Sequence, residues 1–178
     1  MKSKKVLIIS GSPRSNGNSS SLCDEFAAGA VSAGHTVEKI SLANCQINFC
    51  TACYACANGS CVHKDDAPEI IEKMLQADVI VLGTPVYFYT MCAQLKALID
   101  RSVMKYPHIN GKEFYYIMTM ADTDEKNFNG TIEALRGFVA CCENSRECGM
   151  IRAAGVYSIG AIAGHAALAE ARIMGSQC

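Results

Sequence analysis

No block of lysine or arginine marks this chain of 178 residues, whose formal net charge is −1. A nucleic-acid surface needs a basic stripe, so that class of partner is excluded. No apolar run approaches the ~20 residues that a membrane-crossing helix requires. The opening MKSKKVLIIS begins with lysines and a short apolar run. The run stops after Ile9 and Gly-Ser-Pro-Arg follows, unlike a secretory leader. A cytoplasmic protein is expected, with neither nucleic acid nor membrane as partner. Low-complexity linkers and internal repeats are also missing, so a single domain over residues 1–178 is expected. Two phosphate signatures are missing as well. The first loop has no G-x-G-x-x-G, and no G-x-x-x-x-G-K-[ST] occurs anywhere.

Cysteine, by contrast, is abundant, with 11 copies. In a reducing compartment most of these are not disulfides. Cys23, Cys92, Cys141 and Cys142 fall in helix-like segments, and Cys45, Cys148 and Cys178 have no pattern around them. All seven read as small buried hydrophobes. The other four are crowded into CTACYACANGSC, at Cys50, Cys53, Cys56 and Cys61.

Elsewhere, apolar runs alternate with helical patterns. Strands are predicted at 5–10, 36–41, 78–83, 114–120 and 150–159, the last centred on 153–157. Helices are predicted at 18–33, 65–76, 91–104, 127–143 and 165–174. Gly34 would end the first helix and Asp66 would cap the second. Strict alternation implies an α/β three-layer sandwich: a five-stranded parallel sheet, order 2-1-3-4-5, with helices on both faces. The one long irregular segment, 42–64, carries the four crowded cysteines, and long loops inside compact domains are usually functional.

Open parallel sheets bind ligands beyond the carboxyl ends of their strands. The first strand runs straight into GSPRSNGNSS. Ser12, Ser15, Ser19 and Ser20 offer hydroxyls, Asn18 an amide and Arg14 a cation. The helix that follows aims free N–H groups at the loop. A hydroxyl-rich loop of this kind suits a terminal phosphate monoester better than a pyrophosphate. It also fits an ordinary serine-capped turn.

Strand, GSPRSNGNS and helix together resemble the NAD(P)H-dependent FMN reductases of the flavodoxin-like fold. The resemblance continues through GTPVYFYTMCAQLKALIDR, residues 83–101, and returns in GHAALAEARIMG, residues 164–175. It implies FMN as cofactor, with its phosphate on Ser12, Arg14, Asn18, Ser19 and Ser20. It implies that Pro85, Val86, Tyr87 and Phe88 line the ring and ribityl chain. The loop from Thr119 through Ala121 to Asp122 would close the other side. It further implies NAD(P)H as co-substrate, a flavin, quinone or similar small acceptor, and a homodimer or homotetramer. Flavin carries the chemistry and the protein orients it, so no catalytic side chain is named. His63, His108 and His165 read as surface or structural.

Cys50-x2-Cys53-x2-Cys56-x4-Cys61 is close to compact iron–sulfur runs. The iron–sulfur flavoprotein branch of the same family carries a [4Fe–4S] cluster on such a motif, and CVHKDD, residues 61–66, resembles the wording that follows it there. The spacing leaves three readings open: a cluster, a zinc site, or thiols without metal. With a cluster, the chain would be an electron carrier between redox-protein partners rather than a reductase of small molecules.

Overall fold

The computed structural model describes residues 2–178. Five strands form the parallel sheet: β1 (Lys5–Ser10), β2 (Thr36–Ser41), β3 (Val79–Tyr87), β5 (Glu113–Thr119) and β6 (Arg146–Ala153). They lie in the order β2-β1-β3-β5-β6, every pair parallel, as the alternation predicts. A two-residue strand, β4 (Thr90–Met91), folds back antiparallel on the end of β3.

Each strand divides its side chains between two cores, because neighbours point to opposite faces. Val6 and Ile8 of β1, with Val79, Val81, Tyr115 and Ile117, meet helices α1 (Asn18–Ser32) and α5 (Ala167–Gln177). Leu7 and Ile9, with Ile80, Leu82, Phe114 and Tyr116, meet α2 (Ala67–Gln76), α3 (Ala93–Arg101) and α4 (Asn129–Ala140). This double burial explains why β3 reads as an unbroken apolar run.

Helices α1 and α5 pack at backbone distance. A Cβ on Gly29 would fall 2.0 Å from the Arg172 carbonyl oxygen, and one on Gly175 would fall 2.1 Å from that of Phe26. Glycine is required at both positions by space. Gly34 ends α1 as expected, at φ +87°, with the Gly34 and His35 N–H groups returning to Val31 and Ala30.

Of the seven cysteines read as buried, Cys141 and Cys148 are exposed and Cys45 is half-buried. Three expectations about the elements also need correction. The last strand is 146–153, earlier than the predicted 150–159. It is an edge strand with alternating exposure, and a register shift opposite Phe114 and Tyr115 breaks its pattern, so its polar start did not read as a strand. The strand predicted to stop at 83 continues to Tyr87, and Met91, predicted to open a helix, pairs back in β4. The two-residue tip of this hairpin, Phe88 and Tyr89, has φ +48° and +63°, the geometry of a type I′ turn that Asn-Gly normally signals. Finally, the Asp66 side chain does not cap α2. It accepts the Gln46 N–H at 2.7 Å, while neighbouring Asp65 accepts the Ala67 N–H at 3.3 Å.

Candidate functional site

The loop after β1 opens onto a cavity of about 120 Å³ beyond the carboxyl ends of the strands. Ser12, Arg14, Asn18, Ser19, Pro85, Val86, Tyr87, Thr119 and Ala121 all line it. An adjoining cavity of about 220 Å³ shares Val86 and Ala121 and adds Phe88 and Asp122. Eleven of the twelve flavin-site residues expected from sequence therefore border one groove.

Ser20 is the exception. Its hydroxyl receives a hydrogen bond from Lys39 Nζ at 2.9 Å, and the same ammonium holds Asp24 at 2.6 Å. The side chain faces β2, one helical step away from the loop. Its backbone N–H still belongs to the helix opening. Asn18, Ser19 and Ser20 supply the first N–H groups of α1, and Ser21 makes the first return bond, to Gly17. Gly17 carries no capping side chain, so nothing local competes for these donors.

Two further groups fit an anion. The Ser19 hydroxyl is buried with no partner, a cost that a ligand would remove. Arg14 is exposed and makes no ion pair among the described residues. An orphaned hydroxyl, open helix N–H groups and a spare cation form a donor set suited to a phosphate dianion.

The Asn18 side chain also braces the loop after β6. Its amide donates to the carbonyls of Val156 (3.2 Å) and Ser158 (2.9 Å), and its oxygen accepts the Ile162 N–H at 3.3 Å. One side chain ties the loop after β6 to the start of α1. The loops after β5 and β6 are laced in turn, by Val156 N–H to Met120 O (2.9 Å) and Gly155 N–H to Asp122 O (2.8 Å). The Asp122 carboxylate is spent within its own loop, on the Asp124 N–H and the Asn127 amide, which hold its pKa below the usual range. Gly17, Val156 and Tyr157 also line the groove and were missed. Val156 and Tyr157 had been placed inside the last strand; with its end at Ala153 they fall in the loop, where this topology puts ligands.

The four crowded cysteines line a second cavity, of about 420 Å³, together with His63, Arg101 and Met104. Two left-handed residues, Ala52 (φ +52°) and Tyr54 (φ +58°), turn the chain between successive cysteines and curl the run around one space. The neck of this loop is clamped. The Asp66 N–H donates to the Gln46 carbonyl and the Gln46 N–H to the Asp66 carboxylate, and Asp65 accepts both the N–H and the amide of Asn48. From α3, the Arg101 guanidinium grips Asp65 with two bonds and the Asn48 carbonyl with a third. No three Cys, His, Asp or Glu side chains among the described residues converge as they would on a single ion. A four-iron cage takes its thiolates at four separate corners, so a shared cavity is the arrangement it needs. Two polar atoms at this cavity are buried without partners, Arg101 Nε and His63 Nε2. The Ala55 N–H and the Thr51 hydroxyl bond to Cys53 and hold its thiol below its ordinary pKa.

The two cavities share no lining residue. Helix α3 ends on the cysteine cavity, and the residue before it bonds to the loop after β1. At its start the Cys92 thiol donates to the Gly11 carbonyl at 3.0 Å; at its end stands Arg101.

This architecture is that of the flavodoxin-like fold. A solved NAD(P)H:quinone oxidoreductase from Methanothermobacter marburgensis superposes with a TM-score of 0.80 at 20% identity, over 99% of this chain and 96% of that one. The chain belongs to the NADPH-dependent FMN reductase family, whose profile matches residues 4–136. An iron–sulfur flavoprotein of Methanocaldococcus jannaschii is 48% identical over 99 residues, covering 55% of this chain and 51% of that protein. One from Archaeoglobus fulgidus is 43% identical over 100 residues, covering 56% and 49%. The chain thus spans about half the length of these curated relatives. Among the described residues no helix is long and apolar enough to cross a membrane.

Proposed function

We propose that this chain is an iron–sulfur flavoprotein. FMN would sit in the groove after β1, β3, β5 and β6, and a [4Fe–4S] cluster in the cysteine cavity. The observation that carries this reading is the shared cavity of Cys50, Cys53, Cys56 and Cys61, on a chain whose flavin-family loops border a separate groove. The similarity to iron–sulfur flavoproteins supports it. So do the left-handed turns between cysteines, since backbone nests of this kind recur at iron–sulfur sites.

The Ser19 hydroxyl, Arg14 and the first N–H groups of α1 would hold the FMN phosphate, with Ser12 in the same loop. Pro85, Val86 and Tyr87 would face the ring from one side, and Thr119, Ala121 and Tyr157 from the other. FMN exchanges one or two electrons when bound, which lets it join a hydride donor to a one-electron centre. The protein's own task is to orient the ring and to keep the thiolates together. An electron carrier between redox-protein partners is the function this favours, in a homodimer or homotetramer.

The test is the absorption spectrum of protein purified without oxygen, with iron and acid-labile sulfide measured on the same sample. Flavin bands over a broad brown background, with about four irons and four sulfides per chain, are expected. A flavin spectrum without iron would favour the second reading, an NAD(P)H-dependent reductase of small acceptors. Family membership supports that reading too, and rapid steady-state NAD(P)H oxidation would then be found.

A further inference from the structure

Arg101 is buried to 1% exposure, yet it lies at the end of α3 on the wall of a cavity lined by four thiols. Two of its guanidinium nitrogens are engaged, Nη1 with Asn48 and Asp65 and Nη2 with Asp65. The third, Nε, carries an N–H with no acceptor. A buried unpaired donor on a charged group is costly to the fold. Nothing in the ion pair with Asp65 requires that cost, because the fork already satisfies both carboxylate oxygens. The neighbouring acceptor is sulfur: Cys61 lines the same cavity wall as Arg101, and its thiol adds to the pull that raises the guanidinium's pKa.

We propose that Arg101 is a positioning residue for the cysteine site, its Nε–H donating to the Cys61 thiolate or an adjacent cluster sulfur. The inference rests on the iron–sulfur reading above. It assigns one residue two tasks. The fork fixes the neck of the cysteine loop, and the remaining donor faces the thiolates with a permanent positive charge behind it. Reduction adds one electron to the cluster and its ligands, with no bond broken and no proton required. A donor and a cation next to the sulfurs stabilise the more negative state, so Arg101 raises the potential at which the electron is accepted.

The experiment compares wild-type protein, Arg101→Lys, and the pair Arg101→Gln with Asp65→Asn, all loaded anaerobically with iron and sulfide. Lysine keeps the charge and loses the Nε donor. The double variant keeps a neutral, hydrogen-bonded neck and loses both charge and donor. Iron and sulfide per chain are measured first. The midpoint potential is then followed by the EPR signal of the reduced cluster, with electrons delivered from an electrode through mediators. Expected is a lower potential in both variants, with a shift of roughly tenfold in the one-electron reduction equilibrium, about 59 mV. A cluster-loaded variant with the wild-type potential would overturn the assignment to Arg101 while leaving the iron–sulfur reading intact. Wild-type protein that binds no iron or sulfide sinks both. Should the variants fail to fold, pulsed EPR on reduced wild-type protein with 15N in its arginine side chains decides. A weak nitrogen coupling is expected, and its absence refutes the hydrogen bond.

Discussion

Arg101 and Asp65, 36 residues apart, face each other through two bonds of 2.7 and 3.0 Å, with side-chain exposures of 1% and 0%. Breaking a buried pair from one side strands the other charge, which costs about 3–5 kcal/mol. Asp65→Ala is therefore expected to lower stability by about that amount in urea unfolding at neutral pH. Asp65→Asn keeps the hydrogen-bonding shape and should lose less.

The same pair shapes the response to acid. Burial alone would raise the Asp65 carboxyl, but hydrogen bonds from Arg101 and Asn48 outweigh it and hold the group well below the usual carboxylate range. Its stabilisation is complete above the unfolded value of about 3.9 and drains away as pH falls toward the depressed folded value. Wild-type protein should lose stability below about pH 4 more steeply than Asp65→Asn. Parallel pH profiles in urea unfolding would contradict this.

Ser19 and Arg14 test the phosphate assignment from two directions. Ser19→Ala removes an unpartnered buried hydroxyl, so the flavin-free chain should keep its melting temperature or gain slightly. Its FMN affinity should fall. Arg14→Ala removes an exposed cation and should weaken FMN roughly tenfold with no change in folding. Fluorescence titration of the flavin-free protein reads both.

Asn18→Ala should act differently. Its three side-chain bonds hold the loop after β6, so the flavin-free protein itself should lose about 1–3 kcal/mol. Weaker FMN binding would follow from a loosened Val156–Tyr157 wall. An unchanged melting curve would contradict this bracing role.

The hairpin tip carries stored strain. Phe88 is 99% exposed, and both tip residues hold left-handed backbone that bulky side chains disfavour. Replacing Phe88→Asn and Tyr89→Gly together should stabilise the chain by about 1–2 kcal/mol. FMN affinity should drop if the strain serves to aim Tyr87 and Phe88 at the groove. A thermal melt and a flavin titration on one sample separate the two effects.

Much of this was legible in the sequence because period and punctuation agreed. The β1 run stopped by Gly11, the stripe of α1 ended by Gly34, and the doubly buried β3 each carried a complete local signal. What escaped depended on partners distant in the chain. Asn18 looked like a loop amide until the loop at 156–162 was folded over it. Ser20 looked like one more hydroxyl until Lys39 claimed it. Arg101 sat unnoticed in a helix, since nothing nearby announces that Asp65 and the cysteine loop will close around it. The strand at 146–153 was misplaced because half of it faces outward and its register is broken.

Helix α3 gives this chain the layout of a two-terminal device. From Ala93 to Arg101 it rises about 12 Å, a rigid spacer whose last residues line the cysteine cavity and whose preceding Cys92 is bonded to Gly11 at the start of the loop after β1. Each terminal can then be rewired alone. Converting Cys50, Cys53, Cys56 and Cys61 to serine should leave a chain that still takes up one FMN, while emptying the flavin groove should leave the thiol terminal loaded.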